Sequence, residues 1–408
     1  MTTAWRVVLS CFVGVSVSIA PAYLTVLGLF IKQMSSDTGF SRTQLSLMPS
    51  MMALVAAVCS PFVGGLIDRW GARNVVLLGV VLLPLGLLGH AAFSSSLVLL
   101  FALAVLMGMT ASFACPLPYV SALPQWFDRN LGLAIALSMT GIGFGEIVLP
   151  KLAAYLIASG GWRHAWAVLA GVIMLVGVLN ATLLFRENPD FIARRSERRA
   201  GMQERDEPGA TWQQAIRTPA FWLLGVAVCL IAQVGVGMMV HAVPMLTDRG
   251  VAPTYAVNAI AILGLGSLVG RLTTGFLLDR LSMALVGGLL FSLQALGILL
   301  LWGDAGLPAN LIAMFLVGMA VGAETDIIPF AVRRLFGLRQ FGRIFGMIYG
   351  IFTLGPVLGP LFMGYSFDRF GSYSPALLFF AASALFAAAA IAIVGNWSLT
   401  ARGAEVPA

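Results

Sequence analysis

Charge is what this chain has least of. Asp, Glu, Lys and Arg make up 10% of its 408 residues, against about 25% in a soluble domain. So few charges cannot coat a water-soluble protein of this length. Cysteine is also scarce. Cys11, Cys59, Cys115 and Cys229 fall within apolar stretches and show no metal-ligand spacing, so they read as packing residues. There is no nucleophile–base constellation, no metal-ligand set and no nucleotide-binding loop. An enzyme is therefore disfavoured, and no cofactor or metal is expected. No cleavable signal peptide is expected either. Arg6 leads into an apolar stretch too long for a signal core and lacking a clean small-residue cleavage site. The net charge of +7 is spread over loops between apolar runs, which argues against nucleic acid as a partner.

What the chain has is apolar sequence. Hydrophobic residues account for 59% of it, and the mean hydropathy is +0.94. These values predict an all-α protein that crosses the membrane many times, with the lipid bilayer as its first partner. Twelve runs are long enough to cross about 30 Å of hydrocarbon. They lie at approximately 7–31, 45–67, 75–93, 97–123, 131–157, 162–185, 220–246, 254–278, 283–302, 308–332, 342–366 and 375–396. The organisation expected is a six-helix bundle over 1–185, a connector over 186–218, a second six-helix bundle over 219–398 and a short tail over 399–408. The connector carries Arg194, Arg195, Arg198, Arg199 and Arg205 among acids. It reads as a solvated segment or a helix lying on the membrane surface. Thr218-Pro219 closes it as an N-cap followed by proline at the first helical position.

If the N-terminus is inside, 17 of the 24 Lys and Arg residues fall on the cytoplasmic side, 5 fall outside and 2 (Lys151 and Arg271) lie in spans. That bias predicts both termini in the cytoplasm. The halves also repeat each other. Gly64-Gly-Leu-Ile-Asp68-Arg69 matches Gly275-Phe-Leu-Leu-Asp279-Arg280 at an offset of 211. Gly132, Gly145, Pro150 and Gly161 match Gly342, Gly355, Pro360 and Gly371 at an offset of 210. A six-plus-six duplication joined by one long connector is a transporter signature.

One residue stands out against this background. Arg271 sits well inside the eighth span, where a guanidinium stays charged and costs at least about 2.5–3.5 kcal/mol. Under the repeat it falls opposite Ser60, so the cation belongs to the second half alone. Ser267, Arg271 and Gly275 are spaced by four and share one helical face. That face reads as small and polar around a single cation, with room for a ligand. The alternative is an arginine paired structurally with a neighbouring acid.

Gly64-Gly-Leu-Ile-Asp-Arg-Trp-Gly-Ala-Arg73 resembles the signature loop of the major facilitator superfamily. The resemblance covers nearly the whole chain and implies that superfamily's fold, two six-helix bundles that expose a central site alternately to each side. Trp126-Phe-Asp-Arg-Asn-Leu-Gly-Leu-Ala-Ile-Ala-Leu-Ser-Met-Thr-Gly141 is similar to the fifth-span motif of monocarboxylate porters. An arginine in span eight followed by glycine four residues on is also their pattern, and that of related oxalate/formate antiporters. In those families it pairs with the substrate carboxylate, which here implies Arg271. Three features depart from these families. The tryptophan-rich acidic lead-in to span one is missing, Pro21 is followed by Ala22 rather than lysine, and no lysine or arginine lies between Ile344 and Asp368. A substrate that needs two buried cations is therefore disfavoured.

Other candidates follow from position. Counting 16 residues from Tyr255 to Arg271, and 16 from Pro308 to Glu324, puts these charges at one depth. A Glu324–Arg271 pair would neutralise the cation. A substrate carboxylate that displaced Glu324 would free it to take up a proton. The alternative is that Glu324 is a permanent counter-ion. Asp326, about 200° further round the helix, cannot share Glu324's face, so one of the two serves packing or a cytoplasmic gate with Arg333 or Arg334, and Asp326 stands beside Glu324 as a candidate proton carrier. Glu146 is either a second proton carrier or a partner of Lys151. His241 suits proton transfer or simple hydrogen bonding. Tyr23, Tyr119 and Tyr349 are candidate pocket walls or ordinary packing residues. Gly346, Gly350, Gly355, Pro356, Gly359 and Pro360 crowd span eleven and ease close packing and bending there. By resemblance, Gly64, Asp68, Arg69, Arg73 and Arg129, with Gly275, Asp279 and Arg280, form an ionic latch that closes the inside.

The function expected is secondary transport of a small organic anion, foremost a monocarboxylate, by proton symport or anion exchange. The protein is expected in the plasma membrane (the cytoplasmic membrane if bacterial) and as a monomer. Efflux of amphipathic drugs, or a non-transporting sensor or scaffold, are the alternatives.

Overall fold

The long apolar runs have no water with which to satisfy their backbone, so they close their hydrogen bonds internally as helices. A computed structural model describes residues 3–40, 42–93, 96–127, 129–193 and 209–397. The arginine-rich part of the connector and the tail lie outside the described residues, and so does the expectation of a surface helix there. Eleven described segments are long and apolar enough to cross a membrane. One of them, Leu131–Leu184, is 54 residues long and is broken at Gly161, whose φ of 80° only glycine adopts readily. The break divides it into two segments each long enough to cross, which makes twelve candidate spans among the described residues.

The helices in chain order are α1 (Thr3–Ser16), α2 (Thr25–Thr38), α3 (Arg42–Trp70), α4 (Ala72–Phe93), α5 (Leu97–Ala111), the short α6 (Pro116–Val120) and α7 (Leu131–Leu179). After the connector come α8 (Trp212–Ile216), α9 (Pro219–Asp248), α10 (Pro253–Leu278), α11 (Met283–Gly303), α12 (Leu307–Phe336), α13 (Phe341–Phe370) and α14 (Ser374–Gly395). The first span is interrupted. Between α1 and α2 the chain makes a π-turn over Ala20–Leu24, a wider turn that often marks a functional place. The fourth span breaks between α5 and α6, just before Pro116 and Pro118. Ile19 N donates to Ala114 O at 2.9 Å, so the two breaks satisfy each other.

The chain forms two compact units. One comprises Met1–Asp128, Leu137–Glu207 and Phe341–Met347. The other comprises Arg129–Ala136, Pro208–Gln340 and Ile348–Ala408. The opening turns of α7 and α13 thus pack with the unit that does not hold the rest of their helix.

Within the second unit, α10 packs chiefly against α12, and the two run parallel. Glycines set how closely they approach. A Cβ on Gly318 would collide with the carbonyl of Leu263, and one on Gly322 would collide with the carbonyl of Ser267. On the other helix, Gly266 and Gly270 meet the carbonyls of Phe315 and Met319. Small residues four apart are a recurrent means of bringing membrane helices together. The pairs Leu263–Gly318 and Ser267–Gly322 share an offset of 55. One turn further on, the same register places residue 271 opposite residue 326.

Gly322→Leu is expected to push these helices apart. Overpacking of this kind costs about 1–3 kcal/mol, read as a lower unfolding temperature of the purified protein in detergent. An unchanged unfolding temperature would show that the glycine contact does not hold the pair together.

Candidate functional site

Arg271 reaches Asp326 across that register. Its Nη1 donates to Asp326 Oδ1 at 3.0 Å and to Thr325 Oγ1 at 3.1 Å. Thr325 Oγ1 in turn donates to the same carboxylate oxygen at 3.4 Å. The Arg271 side chain is 11% exposed and that of Asp326 is 0%. Charge-assisted hydrogen bonds in such dry surroundings are the strong kind. Asp326 Oδ2 has no hydrogen-bond partner, so half of the carboxylate is uncommitted.

The expected partner, Glu324, does not hold the cation. It is buried in the same helix with its Oε2 unpartnered, on the side facing Gly235 of α9. The physical reason is register. Counting depth from estimated helix starts carries an error of one or two residues, and two residues separate these acids. The glycine contacts decide between them. Asp326 is therefore the ion-pair partner of Arg271. Ser267 and Arg271 are both half-buried on their shared face. Ser267 presents its backbone to Gly322, and Gly275 faces Gly132 and Ala136.

The other candidates are dispersed. His241 Nε2 lies 3.1 Å from the carbonyl of Pro360, and its ring lies near Tyr373. Tyr349 is half-buried on α13, with its ring beside Phe352. Tyr119 packs edge-on against Phe185 and over Gly14 in the first unit. Tyr23 is fully buried there among aromatic rings. Both are interior residues of that unit. Glu146 and Lys151 lie exposed on α7. In span eleven, Gly355 and Gly359 serve close packing against Cys229 and Gln233 of α9, and α13 runs on through both prolines.

The repeated Gly-x-x-x-Asp elements have a clear geometry. Asp68 accepts from the backbone amides of Gly342 (2.7 Å) and Arg343 (2.8 Å), at the start of α13. Asp279 accepts from the amides of Gly132 (2.8 Å) and Leu133 (2.9 Å), at the start of α7. Each carboxylate thus occupies a helix N-terminus, where free amides and the helix dipole favour an anion. Gly64 lies against Gly342, and Gly275 against Gly132, so close that neither could carry a side chain without a shift. A third acid, which sequence reasoning missed, does the same. Glu187 accepts from the amides of Ala72 (3.1 Å) and Arg73 (3.4 Å) at the start of α4. Arg73 turns to the carbonyls of Ala181 and Thr182, while Arg69, Arg129 and Arg280 are exposed. Thr325 was also missed. Its signal was its place beside Asp326, which continues the Gly318-x-x-x-Gly322 spacing by one more turn.

Asp326→Asn is expected to leave Arg271 without its counter-charge. Breaking a buried pair in this way costs about 3–5 kcal/mol. Glu324→Gln should cost far less. Thermal unfolding of both variants in detergent separates them, and equal losses would place the two acids on the same footing.

Comparison with known proteins agrees with this architecture. The family model for the Major Facilitator Superfamily matches residues 10–331. Among curated proteins, monocarboxylate transporter 11 of Mus musculus is 26% identical over 367 residues, spanning 87% of this chain and 79% of its own. Monocarboxylate transporter 13 of Bos taurus is 26% identical over 375 residues, spanning 91% and 84%. Among solved structures, the human organic anion transporter MFSD10 (TETRAN) superposes with a TM-score of 0.72 at 15% identity, covering 96% of this chain and all of that one. That structural likeness concerns the fold alone. With many apolar helices long enough to cross a membrane and a family match over most of its length, the chain belongs to the Major Facilitator Superfamily of multi-pass membrane transporters.

Proposed function

We propose that this transporter carries a small organic anion, foremost a monocarboxylate, by alternating access coupled to a proton or a counter-anion. The observation that carries the reading is the Arg271–Asp326 pair, a buried cation whose acid has an uncommitted oxygen. The resemblance to transporters named for monocarboxylates supports the same substrate class.

The coupling follows from electrostatics. Arg271 and Asp326 together carry no net charge. A substrate carboxylate that joins them adds one negative charge to a low-dielectric place, which is costly. A proton delivered to Asp326 or Glu324 cancels that charge and releases the guanidinium to the substrate. Transport is then electroneutral, and a negative-inside potential, worth about 2.3 kcal/mol per charge per 100 mV, does not oppose uptake. In exchange, a leaving anion takes the place of the proton. The orientation in this reading puts both termini in the cytoplasm, following the arginine bias. The Asp68 and Asp279 caps then lie on the cytoplasmic side and form the gate of the transport cycle. The chain works as a monomer in the plasma or cytoplasmic membrane.

The test is uptake of labelled carboxylates into proteoliposomes, with and without an imposed pH gradient. Carboxylate flux should exceed that of neutral analogues, and an inward proton gradient or internal anion should accelerate it. Equal flux of neutral analogues would overturn the anion reading. Arg271→Lys keeps the charge but loses the planar fork. It is expected to lower kcat/KM for carboxylates at least tenfold, and wild-type kinetics would remove Arg271 from the site.

A further inference from the structure

The first unit contains a cluster that the transport reading does not use. Tyr23 lies in the π-turn of span one, His90 near the end of α4 and Trp166 in the second crossing of α7. Their ring centroids form a nearly equilateral triangle, 5.3 Å from Tyr23 to His90, 5.7 Å from Tyr23 to Trp166 and 6.0 Å from His90 to Trp166. Phe30 stacks on Trp166 at 3.9 Å. All three polar rings are at most 1% exposed. Yet Tyr23 Oη, His90 Nε2 and Trp166 Nε1 each lack a hydrogen-bond partner.

The described residues hold nine such atoms, and these three are gathered in one ring cluster, which calls for a common explanation. Each unsatisfied group costs about 1–3 kcal/mol. Their chemistry is complementary to one small neutral molecule. Trp Nε1 only donates, the Tyr hydroxyl donates and accepts, and His Nε2 does either according to tautomer. Water, with two donors and two acceptors, serves all three. No charged side chain belongs to the ring cluster, which disfavours an ion.

The same helices hold further space. Seven residues along α4 and α7 from His90 and Trp166 are Leu83 and Ile173. With Ser18, Gly79, Ala114 and Tyr119 they border a cavity of about 10 Å³, the room one water requires. It sits where the first and fourth spans are both broken.

We infer that the Tyr23–His90–Trp166 seam is a binding site for buried water, which ties the bulged part of span one to α4 and α7. The inference is independent of what the protein carries. Its test is Tyr23→Phe in the purified full-length chain, which deletes only the hydroxyl. With water bound, the variant loses a hydrogen bond and its unfolding temperature falls by about 1–2 °C. With the seam dry, the variant sheds an unsatisfied group and its unfolding temperature stays level or rises, which would overturn the proposal. As a second measurement, a structure at a resolution that shows ordered water should place density within hydrogen-bond reach of at least two of the three atoms. An empty seam in that structure would also overturn it.

Discussion

A guanidinium inside a membrane has to be met by protein, and here the helix register decides which residue meets it. Gly318 and Gly322 bring the backbones of α10 and α12 so close that they cannot slide past each other. Asp326 follows Gly322 by one turn and Arg271 follows Ser267 by one turn, so the charges come together because the glycines already have. Thr325 adds the neutral hydrogen bond that holds the cation in place. Without the close approach, the arginine would need its stem to cross a wider gap. Packing is therefore the cause and the ion pair its consequence.

The repeated loops use the same order of causes. Gly64 against Gly342, and Gly275 against Gly132, let the end of one helix lie on the first turn of another. Only at that distance can Asp68 and Asp279 reach two amides each. The free N–H groups of a helix start need an acceptor wherever water is sparse. A carboxylate supplies two oxygens and the favoured charge at once. This explains why glycine and aspartate recur together at a fixed spacing, which topology determinants alone would not require. Glu187 shows the chemistry without the motif, since it caps α4 from a position that no repeat marks.

The legible and illegible parts of the sequence divide along physical lines. Apolar length announces each crossing, and Gly161 announces the break that separates two of them. The importance of Arg271 was legible because a lone charge in an apolar run has few structural reasons to exist. Its partner was not. Glu324 and Asp326 differ by about 3 Å of helical rise, less than the uncertainty in where a membrane helix starts. The Gly318-x-x-x-Gly322-x-x-x-Asp326 spacing carried the answer, but only to a reader who knew which helix it faced. Tyr23 was visible as a membrane tyrosine, while its neighbours His90 and Trp166 come from spans three and six. Contacts so distant in sequence leave no local pattern.

The number of acids deserves its own account, because one would suffice as a counter-ion. Asp326 neutralises Arg271 in the resting arrangement, and Glu324 lies two residues away without a cation on its free oxygen. In the transport reading, an arriving carboxylate competes with Asp326 for the guanidinium. In that reading a proton cancels the charge of the displaced acid. Were Asp326 alone, losing the proton would simply restore the pair and expel the substrate. A second buried carboxyl offers the proton another place to rest while Asp326 and substrate exchange positions. In that reading, two acids around one base separate holding the cation from holding the proton.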